Sequence, residues 1–182
     1  FGVCMNPEFL REGKALIDFL NPDRIVIGEL DEKSGDILEN LYEDFDSPIL
    51  RMSLSSAEMV KYASNSFLAN KISFINEIGN ICKSLGIDVY EVAEAMGKDK
   101  RISPEFLRAG PGYGGSCFPK DVRAIISKGE SLEYDPKLLK AGVSLNEEQP
   151  LRMIEILKET LSNLEEKTIG VLGLSFKPGT DD

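Results

Sequence analysis

The segment from Ser55 to Leu85 constrains this chain more than any other. Read as a helix, it is apolar on two sides: Val60, Ala63, Phe67, Phe74, Ile78, Ile81 and Leu85 on one, and Leu68, Ile72, Ile75 and Cys82 on the other. A helix of that kind needs a cover on both sides, either from its own domain or from a second subunit. Ser55 and Glu58 have the spacing of a capping box at its start, and Gly86 is placed to end it in the left-handed conformation.

Around this helix the pattern predicts a mainly α-helical chain with short strands. Apolar runs bounded by Pro, Asp or Gly at 1–5, 24–28, 49–52 and 168–174 read as strands, with a helix over 36–45 among them. Asp88 and Glu91 form a second capping box for a short helix ending near Gly97. Further helices are expected at 104–109, 119–129 and 136–163, the last kinked or restarted at Pro150. Three regions result: an α/β piece over 1–52, a helical domain over 53–164, and over 165–182 the opening of another Rossmann-like unit. Phe1–Met5 reads as a strand interrupted at its start and the last residues stop in a loop, so a piece of a longer α/β protein is expected.

Charge and residue usage exclude several classes of function. A net charge of −10 supplies no basic stripe to displace counterions, which argues against nucleic acid as a partner. No apolar run approaches the roughly 20 residues of a membrane span, so no membrane partner is expected. Cys4, Cys82 and Cys117 are odd in number and far apart, which indicates neither a disulfide framework nor a metal site and suits a reducing cytoplasm. With no histidine, Ser-His-Asp and Cys-His catalysis and a His-bearing zinc site are impossible within these residues. Proton transfer is left to Lys, Asp, Glu, Tyr, Cys or water.

The most specific chemical signal is the run Gly110-Pro-Gly-Tyr-Gly-Gly-Ser-Cys-Phe-Pro-Lys-Asp121. Pro119 suits the first position of a helix, which puts Cys117 just ahead of a helix N-terminus, with Lys120 adding positive charge nearby. Free N–H groups and the positive end of a helix dipole favour a thiolate, so Cys117 is the candidate nucleophile. Most cysteines are inert packing residues, but a core cysteine does not need four glycines in the six residues before Ser116. Gly110, Gly112 and Gly115 match the spacing of a dinucleotide fingerprint, yet that motif requires a strand just before it. Here the preceding residues, Ser103–Ala109, start like a capped helix. Lys61 and Asn65, four apart, share one face of the long helix.

Taken with Asn6-Pro-Glu-Phe-Leu-Arg-Glu-Gly13 and Glu58-Met-Val-Lys-Tyr-Ala-Ser-Asn65, this run resembles the UDP-glucose/GDP-mannose dehydrogenase family. The resemblance implies NAD-dependent oxidation of the C6 alcohol of a nucleotide sugar to a carboxylate. UDP-glucose is the expected substrate and GDP-mannose the alternative; in isolation the chain would be a non-catalytic dimerisation and nucleotide-sugar-binding module. It implies that residues 1–52 are the tail of an NAD domain, that 53–164 form the dimerisation and substrate domain around helix 55–85, and that 165–182 open a nucleotide-sugar domain. Catalytic roles are implied for Cys117, Lys61, Asn65, Asp121 and Glu8. Substrate contacts are implied for Phe9, Leu10, Phe106, Leu107, Arg108, Gly110, Tyr113, Gly114, Lys120, Phe176 and Lys177, and for Arg101 reaching the neighbouring subunit. Glu12 and Cys117 would lie near the nicotinamide, and a homodimer is the implied assembly.

Overall fold

The computed structural model describes residues 1–161 and 163–182. They form two compact units, Phe1–Ser64 with Lys177–Asp181 and Asn65–Phe176 with Asp182.

The first unit is a small sheet with helices: β1 (Cys4–Met5), α1 (Ala15–Leu20), β2 (Ile25–Glu29), α2 (Glu32–Asn40) and β3 (Ile49–Ser53). The strand order is β1-β2-β3, with β1 antiparallel and β3 parallel to β2. Ile25, Val26 and Ile27 are all buried, the continuous apolar run of a strand covered on both faces. β1 is shorter than the expected strand over 1–5, though the Leu30 N–H still bonds the Val3 carbonyl at 3.1 Å. α2 begins four residues before the expected 36–45 helix, because Asp31 caps it by accepting the Ser34 N–H at 3.0 Å. Past Asn40 the chain turns instead. Arg51 on β3 gathers Glu29 at 2.6 Å, Asp36 at 2.5 Å and Glu39 at 2.9 Å, tying α2 to the sheet. Those three carboxylates raise the affinity of its guanidinium for its proton.

α3 (Leu54–Leu85) follows β3 directly and runs through both units. The Ser53 hydroxyl accepts the Ser56 N–H at 3.2 Å, so the helix starts a residue before the expected Ser55–Glu58 box and on a different cap. Gly28 lets this start approach the sheet: a Cβ there would lie 2.7 Å from the Ala57 Cβ.

The second unit packs α4 (Val89–Gly97), α5 (Cys117–Ser131) and α6 (Lys137–Leu161) with α3. Its core joins Ile75 of α3, Ala93 of α4 and Leu107, with Ile78, Val89, Met96 and Ala109 packed against them. Of the two apolar sides of α3, the one with Ile75 and Cys82 is covered. On the other, Ile78 packs against the core while Phe67 (67%), Phe74 (47%), Ile81 (53%) and Leu85 (66%) are exposed. Asp88 caps α4 as expected, accepting the Tyr90 N–H at 2.9 Å.

Four further expected elements differ. Residues 104–109 are a turn followed by irregular chain, because Ser103 (φ 66°) and Phe106 (φ 64°) adopt the left-handed region that a helix cannot contain. α5 starts at Cys117, two residues earlier than expected, and α6 continues through Pro150 without a restart. Of the expected 136–163 span, residue 162 lies outside the described residues. Residues 168–174 form no strand, and Leu172 and Leu174 are almost wholly exposed. A strand needs a ladder partner, and none pairs with this run among the described residues.

Candidate active site

In the first unit the loop after β1 is fastened by Asn6. Its Nδ2 donates to the Val26 carbonyl at 2.8 Å and its Oδ1 accepts from the Tyr42 hydroxyl at 2.5 Å. The next residues present Glu8 to α3: the Lys61 ammonium donates to Glu8 Oε1 at 2.9 Å and to the Glu8 carbonyl at 2.7 Å. Glu8 Oε2 accepts the Leu10 N–H at 2.7 Å. The Phe9 ring has two cations over it, the Arg24 guanidinium 4.1 Å and the Lys61 ammonium 5.6 Å from its centroid. Leu10 and Glu12 are exposed. Arg11 grips Asp18 in a bidentate pair, which lowers the Asp18 carboxyl to about 2.

The second unit holds the cysteine. Cys117 is exposed at the first residue of α5, its Sγ 3.8 Å from Ser116 Oγ. Pro119 falls within the first turn, where an N–H is not needed for the helix. One turn on, Asp121 is 2% exposed and accepts a hydrogen bond from Asn65 Nδ2 at 2.6 Å. Lys120 pairs with its other oxygen. A carboxylate this buried requires such partners, because stripping water from it is expensive. Asn65 comes from α3, one turn after Lys61.

The glycine-rich loop before Cys117 is held by side-chain amides that sequence reasoning missed. Asn76 Oδ1 accepts the Gly110 N–H at 2.8 Å, and Gln149 Nε2 donates to the Gly110 carbonyl at 3.0 Å. Asn146 takes both groups of Tyr113, accepting its N–H at 2.7 Å and donating to its carbonyl at 3.1 Å. Asn80 Nδ2 donates to Gln149 Oε1 at 2.9 Å. Gly112 is required beside this clamp: its φ is 111°, and a Cβ would meet Asn146 Oδ1 at 2.7 Å. At Gly115 (φ 74°) a Cβ would meet the Phe176 ring at 2.9 Å, so Phe176 lies against the loop. Phe106, Tyr113 and Phe118 form an aromatic cluster, and burial raises the Tyr113 phenol.

The remaining expected site residues are scattered. The Leu107 side chain belongs to the core, and exposed Arg108 lines a shallow depression with Tyr90, Ala93, Glu94 and Pro104. Arg101 is exposed and pairs with Asp99 of its own chain at 2.6 Å, which lowers the Asp99 carboxyl and raises the guanidinium. The Lys177 carbonyl accepts from the Thr180 hydroxyl at 2.9 Å. Among the described residues no group of His, Cys, Asp or Glu is arranged to hold a metal. No helix among them is long and apolar enough to cross a membrane.

A piece of parallel sheet running into a long helix, with an exposed cysteine heading a neighbouring helix, delimits the class. Residues 55–148 match the model of the UDP-glucose/GDP-mannose dehydrogenase family, central domain, and residues 1–46 match that of the family's NAD binding domain. The chain belongs to this family. It is 53% identical over 180 residues to a UDP-glucose 6-dehydrogenase of Bacillus subtilis, covering 99% of this chain and 41% of the relative. A UDP-glucose dehydrogenase structure from the archaeon Pyrobaculum islandicum matches with a TM-score of 0.97 at 53% identity, over 100% of this chain and 42% of that one. A GDP-mannose dehydrogenase structure from Pseudomonas aeruginosa matches at 42% identity with a TM-score of 0.56, over 100% of this chain and 41% of that one. The chain thus spans about two fifths of the length of the relatives it matches.

Proposed function

We propose that the protein carrying this chain oxidises the C6 alcohol of a nucleotide sugar, UDP-glucose in the first instance, to the carboxylate through a thioester on Cys117. One observation carries the reading: within each compact unit a side-chain pair links the α3 motif to another of the three motifs, Glu8–Lys61 in the first and Asn65–Asp121 in the second. Greater identity to UDP-glucose than to GDP-mannose dehydrogenases supports the choice of sugar. GDP-mannose is the second reading.

Lys61 stabilises the C6 alkoxide as hydride leaves and then polarises the aldehyde oxygen, with Glu8 holding the ammonium and serving acid/base steps. Cys117 Sγ adds to the aldehyde carbon and forms a thiohemiacetal, whose C–H bond lies ready for the second hydride loss. Water then cleaves the thioester with Asp121 as its base, which frees the carboxylate and returns the thiol. NAD, when bound, accepts the hydride in each oxidation. Exposed Glu12 and Cys117 are the groups proposed at its nicotinamide end. The glycine loop is no pyrophosphate turn, since irregular chain rather than a strand precedes Gly110.

The nucleotide sugar is assigned to the loop 110–115, with Phe9, Leu10, Phe106, Arg108, Lys120, Phe176, Lys177 and the backbone at Leu107 around it. The proposed domain division is 1–52, 53–164 and 165–182, in a reducing compartment suited to free thiols. A second copy is proposed to cover the exposed apolar surface of α3, where Phe67, Phe74 and Ile81 recur every seven residues. Arg101 would then exchange its exposed pairing with Asp99 for the neighbour's sugar, an exchange a weak surface pair permits.

The test is NADH production by the full-length protein with UDP-glucose, UDP-N-acetylmannosamine and GDP-mannose in parallel. Two NADH per UDP-glucose are expected, and a Cys117→Ser variant should fail to complete the second oxidation. Activity with GDP-mannose alone would favour the second reading, and no NADH from any of them would refute both.

A further inference from the structure

We infer that Asn76, Asn146 and Gln149 are positioning residues for the nucleotide sugar, acting by clamping the backbone of the loop that leads to Cys117. This rests on the reading of residues 110–115 as the nucleotide-sugar cradle. The loop is rich in glycine and turns at left-handed Gly112 and Gly115, so its own residues restrict its conformation weakly. Both backbone groups of Gly110 and both of Tyr113 are nonetheless bonded, all four to side-chain amides of α3 and α6. The amides lie on successive turns. Ser73, Asn76 and Asn80 line α3, and Gly142, Asn146 and Gln149 line α6, so the seam between the helices is polar where an apolar one would pack as well.

Stability alone does not explain this seam. Asn76 is wholly buried, and its Nδ2 has no partner among the described residues. A buried donor left unpaired is destabilising. What Asn76 gains in exchange is the acceptor that fixes the Gly110 N–H. A loop held at both ends before the ligand arrives loses less entropy on binding, so the clamp should act on affinity for the sugar nucleotide and leave the chemical step unchanged.

The experiment compares steady-state kinetics of full-length wild type with Asn146→Leu, Asn146→Asp, Gln149→Met and, as a control in the same seam, Ser73→Ala. The Ser73 hydroxyl bonds the Gly142 carbonyl at 2.9 Å and does not touch the loop. Asn146→Leu and Gln149→Met should raise KM for UDP-glucose about tenfold, the equivalent of one or two lost neutral hydrogen bonds, with kcat and KM for NAD changed less than about threefold. Asn146→Asp, which keeps the acceptor for Tyr113 N–H, should fall between Asn146→Leu and wild type. Ser73→Ala should lower Tm without moving any KM. Gln149→Met keeps the test open if Asn146→Leu fails to fold. An unchanged sugar KM in the folded clamp variants, or parallel rises in both KM values, would overturn the inference while leaving the proposed function intact. If wild type turns over no nucleotide sugar, the functional reading fails and the inference with it.

Discussion

Two side-chain pairs project from consecutive turns of α3, and they are built differently. Lys61 meets Glu8 in the open, with 18% and 56% of their side chains exposed, whereas Asn65 meets Asp121 in the interior, where only 3% of the Asp121 side chain is exposed. An exposed ion pair contributes little to stability and can re-form around a ligand. A buried carboxylate bonded to an amide is fixed, because breaking it strands a charge. The contrast bears on the proposed roles: the exposed pair can rearrange around a ligand, and the buried pair fixes α5 against α3 and with it Asp121, the proposed base for thioester cleavage.

The sharpest way to break this comparison is to replace Lys61. Lys61→Met should reduce turnover of full-length protein by about 10²–10³-fold, the scale of losing one donor to a developing oxyanion. Its effect on denaturant-measured stability should stay under about 1 kcal/mol. If stability falls as far as activity, the pair is structural. Asn65→Ala should do the reverse and destabilise by about 2–3 kcal/mol, since Asp121 loses its amide donor in the interior. A neutral result in urea titration would show that Asp121 is not held as described. Next in size is the α3 surface: Phe74→Glu should shift the protein toward monomer in sedimentation velocity with little change in Tm, and an unchanged sedimentation coefficient would remove the proposed dimer contact.

The smallest effect concerns the loop that delivers Glu8. Arg11 lowers the Asp18 carboxyl to about 2, below the unfolded value near 4. The pair therefore contributes fully above pH 4, and its contribution is lost as pH falls toward 2. Arg11→Ala should flatten the fall of Tm across that window, and an identical slope in the variant would mean the pair carries no linkage.

What could be read from the sequence divides along the range of the interactions. The two apolar sides of α3, the Asp88 cap and the glycine-rich approach to Cys117 depend on near neighbours, and they were legible. The irregular path at 104–109 was not, because Ser103 and Phe106 take left-handed angles that their side chains do not advertise. The run 168–174 has the composition of a strand, but pairing needs a partner that composition cannot supply. Arg51 and its three carboxylates, and the amides of α6, join residues more than ten positions apart. Even so, Gly142, Asn146 and Gln149 recur at helical spacing, a polar stripe that marks a seam. The Glu8–Lys61 and Asn65–Asp121 pairs join residues that the family resemblance had already grouped, and the structure adds that one is wet and the other dry.

The central claim is covalent capture of the sugar by one sulfur atom. Full-length protein given UDP-glucose and NAD, quenched in acid during turnover and digested, should yield a peptide containing Cys117 that carries the mass of the uridine-diphosphate-linked uronoyl thioester. The same peptide from the Cys117→Ser variant should lack that thioester. Two NADH released per sugar with Cys117 unmodified at every time point would contradict the account.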